Sequence, residues 1–260
     1  MGSCPLAWGA WGEYNPPAMR EPVSIAIETS CRRGGVALGM GDRLVEPVTF
    51  RADRRHAVQL VARLAELLDR HGLRAQDLAE VYVSVGPGSF TGLRVGITVA
   101  RTLAQLKPAL RCVAVPTARA VAQNAAGLDF ENLAVVMDAG EGEVYVVLFR
   151  RVAGGLAPVG PGRVMHPERF AEQVPRPVVL IGEGLGYHRI GGEGITVGDE
   201  SLWLPRAEGL WQVGRRMAAA GQFVPLAELR PLYLRRPEAV RLWERRHGGM
   251  ASGGGEDVAV

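Results

Sequence analysis

Three short stretches of the chain combine residue types that can do chemistry. The first is Ile27-Glu28-Thr29-Ser30, which closes an apolar run just before Gly34-Gly35. A carboxylate, two neighbouring hydroxyls and a tight hairpin at a strand end can hold a phosphate or a metal-bound water. The plainer alternative is that Thr29 and Ser30 only cap the turn and that Arg32 and Arg33 are solvated. The second stretch is Gly86-Pro87-Gly88-Ser89-Phe90-Thr91-Gly92-Leu93-Arg94. Its glycines permit a tight backbone, and Ser89 and Thr91 can satisfy free N–H groups of a following helix. It lacks the G-K-[ST] ending of a P-loop and the spacing of G-x-G-x-x-G, so its nucleotide signal is weak. Phe90, an aromatic at a loop tip, can instead anchor a partner. The third stretch is Asp138-Ala139-Gly140-Glu141-Gly142-Glu143, at a later strand end. Glu28, Thr29 and Ser30 on one side and Asp138 and Gly140 on the other form a candidate nucleotide site, a vestigial one if no chemistry survives. Two acidic strand ends that face one cleft can share a Mg-bound ATP or ADP.

A metal centre is not legible. The residues four positions after His56, His71, His166, His188 and His247 are Leu60, Ala75, Phe170, Gly192 and Ala251, so no helical face carries a His-x-x-x-His pair. Cys4, Cys31 and Cys112 are few, odd in number and at no metal or disulfide spacing. They predict reduced thiols in a cytoplasmic protein. Ser89 does not lie in a G-x-S-x-G elbow, and no His or Asp is identifiable as its partner. No residue is therefore assigned a catalytic role.

The elements that must position these residues follow from periodicity. Val23–Ile27 reads as a buried strand, with a second from Gly34, a tight turn at Gly41-Asp42 and a third strand over 45–51. A helix is predicted from His56 to His71. Val58, Val61, Ala65 and Leu68 share one face of it, and Leu60, Leu64 and Leu67 lie beside that face. So wide an apolar arc predicts packing on two sides. Strands follow at 81–85, 112–115, 133–137, 143–150, 163–165 and 178–181. Helices are predicted after Ser89, after Thr117 as a cap, after Pro167 at N1, and over 206–220 with Gly221 as the stop. A meander of strands followed by alternating helices and strands occurs twice. This predicts two α/β lobes, at 23–110 and 111–236.

The composition agrees. In 260 residues, 47% are hydrophobic and 22% charged, enough for a sizeable core and against wholesale disorder. Thirty basic residues, of which only Lys107 is lysine, face 27 acidic ones, leaving +3. That excludes a polybasic nucleic-acid binder. It leaves one local basic segment, 235–246, with five Arg against two Glu. No apolar run reaches the ~20 residues that span a membrane. Residues 1–22 make a poor signal peptide and read as a disordered extension or, up to Met19, a misassigned start. Residues 237–260 read as a basic helix and a Gly-rich disordered tail.

Residues 81–105, VYVSVGPGSFTGLRVGITVARTLAQ, closely resemble the signature segment of the TsaB (YeaZ) family, the dimerisation subunit of the bacterial tRNA threonylcarbamoyladenosine machinery. IAIETSCRRGGVAL resembles that family's first hairpin, VPTARAVAQNA and VVMDAGEGEVYVVLF its second-lobe start, and LRPLYLR its ending. The resemblance spans about 23–236. It implies a two-lobed α/β fold of the actin-like ATPase superfamily (ASKHA, ribonuclease H-like), each lobe a mixed sheet flanked by helices. The family's catalytic paralogue, TsaD, carries a His-x-x-x-His metal pair that is missing here. The resemblance therefore implies a non-catalytic scaffold that needs no cofactor of its own. It would pair with a TsaD-type subunit and, with a TsaE-type ATPase, support threonylcarbamoyl transfer to N6 of the adenosine 3′ of the anticodon in tRNAs reading ANN codons. A homodimer would form when TsaD is absent, and tRNA would be touched at most indirectly. Pairing would use the first-lobe helices, through His56, Leu60, Leu64, Ser89, Phe90, Thr91 and Arg94. The alternative is an active small-molecule kinase or ATPase of the same superfamily, using Glu28, Thr29 and Asp138.

Overall fold

A computed structural model describes residues 21–51 and 56–234, with His56 and Ala57 described by backbone alone. The expected N-terminal extension up to residue 20, the Arg-rich segment 235–246 and the Gly-rich tail lie outside the described residues.

The first sheet has five strands in the order β3-β2-β1-β4-β5: β1 Val23–Glu28, β2 Arg33–Met40, β3 Arg43–Arg51, β4 Leu78–Gly86 and β5 Arg111–Pro116. β1 is central. It runs antiparallel to β2 and parallel to β4, and all six of its residues are buried. Because a strand alternates faces, Ile25 and Ile27 join one core, and Ala26 joins the other. The first face is covered by α1 His56–Arg70 and α2 Phe90–Leu106. The second is covered by α5 Ala207–Ala219, whose Trp211 lies against Gly39 and donates from Nε1 to Ser24 Oγ at 2.9 Å.

The second sheet runs β11-β10-β6-β7-β8, with β9 also on β7: β6 Asn132–Gly140, β7 Glu143–Val152, β8 Gly155–Pro158, β9 Arg163–Met165, β10 Val178–Ile181 and β11 Ile195–Val197. Helix α4, Pro167–Gln173, closes its outer face through Phe170. Between the sheets lies α3, Thr117–Gln123. Its alanines serve both lobes: Ala118 and Ala122 join the second sheet's core, and Ala120 joins the core beneath α5. The small side chains allow α5 to come close. A Cβ at Gly209 would sit 2.9 Å from the Ala120 carbonyl oxygen.

Several boundaries differ from the sequence reading. β5 was expected to open the second lobe but pairs with β4 in the first sheet, and α5 also returns to the first sheet. Strand pairing and helix docking are non-local, so chain order alone does not divide the lobes. Thr117 is not a cap. Pro116 holds the N-cap position, and Thr117 is the first residue of α3.

The largest correction concerns α1. Leu60, Leu64, Leu67 and Leu68 are buried in the first lobe's own core. Val58 and Val61 are 68% and 53% exposed, and Ala65 is exposed with them. At ~3.6 residues per turn the two sets lie about 110° apart around the helix. Leu60 and Leu64 are therefore core residues that offer a partner almost no surface. On the adjoining α2, Val95 and Val99 are half-buried, and Leu106 is 77% exposed. Truncating a buried leucine leaves a cavity, so Leu64→Ala is expected to lower unfolding free energy by about 2–5 kcal/mol. Val61→Ala is expected to change it by less than about 0.5 kcal/mol. Urea denaturation of the two variants checks the assignment of the faces.

Candidate functional site

The two sheets leave a cleft of about 810 Å³ between them. Its walls come from three places: the end of β1 with the turn after it (Ser30, Cys31, Arg32), the loop into α2 (Pro87–Phe90), and the end of β6 (Met137–Ala139). Of the two acidic strand ends picked out in the sequence, Asp138 lines this space, whereas the first strand end reaches it through Ser30 and not through Glu28. The fold also brings in residues that the sequence reading missed: Thr117, Glu183, Tyr187 and Tyr233. Glu183 follows β10 in the run Ile181-Gly182-Glu183-Gly184. This has the same pattern of apolar strand, glycine and carboxylate as Asp138–Gly140, and that signal could have found it.

The chemistry available is narrower than the residue types suggest. Glu28 is fully buried. Its Oε1 accepts from both the Ser30 N–H and the Ser30 hydroxyl, each at 2.6 Å. Burial pushes this carboxyl above its ordinary value of 4.5, and the Ser30 hydrogen bonds only partly oppose that. Thr29 is buried beneath α2 and does not line the cleft. A Cβ at Gly92 would strike its carbonyl oxygen, and one at Gly96 its hydroxyl, so these two glycines let the helix sit directly on the strand end. Ser89 caps α2 by accepting from the Gly92 N–H at 3.3 Å, and its own N–H donates to the Ser30 carbonyl at 2.6 Å. Thr91 and Arg94 are exposed on the first turn of α2.

Phe90 is not a free anchor. It stacks on Tyr233, with ring centroids 4.9 Å apart, and the Arg94 guanidinium lies 5.0 Å from its centroid. The segment bearing Tyr233 crosses the cleft. Leu229 is buried in the first lobe's core, the Leu232 N–H donates to the Val85 carbonyl at 2.6 Å, and Leu234 packs on the second lobe's core. At the opposite wall, Asp138 Oδ1 lies 2.9 Å from His188 Nε2 and accepts from the Gly140 N–H at 3.3 Å. Gly140, at φ 73°, and Gly142 turn the β6–β7 hairpin and do not line the cleft. Glu183 Oε1 accepts from the Asp138 N–H at 3.2 Å, and burial raises its carboxyl. Cys31 is not poised as a nucleophile, because burial and then the Glu28 charge push its thiol up to about 12.

These residues do not fit a Mg-nucleotide. The donors a phosphate would take at the first strand end, Ser30 N–H and Oγ, already serve Glu28. Thr29 and Gly140 lie off the cleft wall. Among the described residues, no group of three or more His, Cys, Asp or Glu side chains is placed to hold a metal ion. No described helix is long and apolar enough to cross a membrane.

Two mixed sheets around a cleft, each flanked by helices, define a two-lobed α/β protein of the actin-like ATPase class. Comparison with known proteins narrows the class. A family model described as TsaD: tRNA N6-adenosine threonylcarbamoyltransferase matches residues 48–181. The tRNA threonylcarbamoyladenosine biosynthesis protein TsaB of Bacillus subtilis strain 168 is 30% identical over 229 residues, covering 84% of this chain and 96% of that protein. Its namesake in Escherichia coli K12 is 29% identical over 231 residues, covering 86% and 98%. The solved structure of YeaZ from Pseudomonas aeruginosa superposes with a TM-score of 0.71 at 28% identity, covering 82% of this chain and 99% of that one. The chain belongs to the TsaB (YeaZ) family.

Glu28 supplies a test of this site. Its folded-state affinity for a proton exceeds that of the unfolded chain. Its contribution to stability is therefore full below 4.5 and is lost as pH rises through the raised folded value. Glu28→Gln keeps an oxygen that accepts from Ser30 and removes the charge. The stability of the variant relative to the parent is expected to grow as pH rises from about 4.5 to about 8. Denaturant midpoints across that range check it; parallel curves would contradict the burial of an ionisable Glu28.

Proposed function

We propose that this chain is a non-catalytic subunit that holds and activates a TsaD-type catalytic partner in tRNA threonylcarbamoyladenosine biosynthesis. Family membership supports the process, since the curated relatives are named for it. The observation that carries the role is the helix face formed by Val58 and Val61 on α1, with Leu106 exposed on the adjoining α2. Three large aliphatic side chains left in water on one pair of packed helices are costly in an isolated subunit and useful in a docked one. The chain lacks a His-x-x-x-His pair, and at its strand ends the Ser30 donors serve Glu28 Oε1 while Asp138 Oδ1 is held by His188 and the Gly140 N–H. Both features favour a scaffold over the kinase or ATPase reading.

Cooperation with a TsaE-type ATPase, cytoplasmic placement, independence from bound nucleotide and self-pairing of the same helix face when TsaD is absent belong to this same proposal. Transfer to N6 of the adenosine 3′ of the anticodon in tRNAs reading ANN codons would be the partner's chemistry, with tRNA touched by this chain at most indirectly.

The test uses a charge on the exposed face. Val61→Glu is expected to fold, by circular dichroism, as the parent does, and to lose co-purification with TsaD from the same organism. Burying the unpaired carboxylate in an interface costs about 3–5 kcal/mol, a factor of about a hundred to a few thousand in affinity. Leu64→Glu, by contrast, is expected to unfold the chain, because that charge would enter the core. Failure of the parent chain to bind TsaD, or full binding by Val61→Glu, would overturn the proposal.

A further inference from the structure

Away from the interlobe cleft, a recess of about 190 Å³ lies between α3, α5 and β8 and shares no lining residue with the cleft. Two arginines enter it, Arg119 from α3 and Arg216 from α5. Both are half-buried, and burial alone lowers both guanidiniums from their ordinary value. Among the described residues, neither has a carboxylate within ion-pair distance. Arg216 donates from Nη2 to Gln123 Oε1 at 2.7 Å, whereas among the described residues Arg119 finds no hydrogen-bond partner there. A guanidinium carries five N–H donors, so most of this donor capacity is unused. Two half-buried guanidiniums side by side without a counter-charge leave a local excess of positive charge that an anion would balance.

We infer that this recess is a binding site for a phosphate-type dianion. Two guanidiniums supply two positive charges and the planar forks that bind phosphate oxygens in pairs. A monocarboxylate would neutralise only one of them. Gln123, with its oxygen held by Arg216, keeps its amide NH₂ as a donor, and Gln222 adds a second amide at the rim. Leu156 and Met217 supply apolar walls that lower the local dielectric and strengthen each charge-assisted bond. None of the six residues lies on α1 or α2, so the site is independent of the proposed docking face.

The test is calorimetry of the full-length chain with inorganic phosphate at low ionic strength, with acetate as the monoanionic comparison. The parent chain is expected to bind one phosphate saturably, and Arg119→Gln and Arg216→Gln are each expected to bind it about ten-fold or more weakly. Glycerol 3-phosphate separates the sources. Equal affinity assigns the recess to the phosphate group alone, and tighter binding assigns it to an organic monoester. Both variants are expected to fold, because each removes a desolvated charge. A second measurement needs no variant: phosphate, but not acetate, should slow phenylglyoxal modification of Arg119 several-fold, read by mass spectrometry. No binding by the parent, unchanged binding in both variants, equal response to acetate, or unprotected Arg119 would each overturn the assignment.

Discussion

The contact on which most of the first lobe depends is that of α2 with the end of β1. Gly92 and Gly96, four residues apart, present bare backbone to Thr29, and the helix settles to a distance that any side chain would forbid. From that seat Leu93, Ile97 and Ala100 reach the core. The same seat places Ser89 so that its N–H reaches the Ser30 carbonyl while its hydroxyl caps the helix. The contact also has a chemical consequence. It covers Thr29, while the Ser30 donors at the same strand end are turned toward Glu28.

The two lobes are joined twice. The alanine-rich α3 is wedged between the sheets, and its small side chains serve both cores. The segment 229–234 ties Leu229 in one core to Leu234 on the other, with the Phe90–Tyr233 stack between them. A nucleotide-driven machine of this class needs lobes that move. Here the cleft is spanned by packing, the Asp138 carboxylate is held by His188, and that of Glu183 by the Asp138 N–H. Outside the cleft, α1 and α2 leave Val58, Val61 and Leu106 exposed.

Much of this was legible in the sequence. Alternation and helical periodicity gave nine of the eleven described strands and the long helices, missing the short β8 and β11, and Asp138 does line the cleft while Glu28 does not. What failed did so for physical reasons. The apolar arc of α1 is wide, and periodicity does not say which edge of it meets the sheet, so Leu60 and Leu64 were placed on the wrong side. The glycines of the Gly86–Arg94 loop read as a tight turn, although Gly92 serves close helix–strand approach, which depends on a partner 63 positions earlier. β5 and α5 belong to the first lobe through pairings that chain order conceals. Glu183 carried a readable strand-end signal that was passed over, whereas the Tyr233 stack on Phe90 had none, because an aromatic contact across the chain leaves no local pattern.

The central claim is that the chain acts through the exposed face of its first-lobe helices and not through its cleft. The most direct measurement is reconstituted threonylcarbamoylation of tRNA by TsaD from the same organism, with this chain supplied as parent, Val61→Glu or Asp138→Asn. The account predicts full support from the parent and from Asp138→Asn, and little or none from Val61→Glu. Full activity with Val61→Glu, or its loss with a folded, TsaD-binding Asp138→Asn, would contradict it.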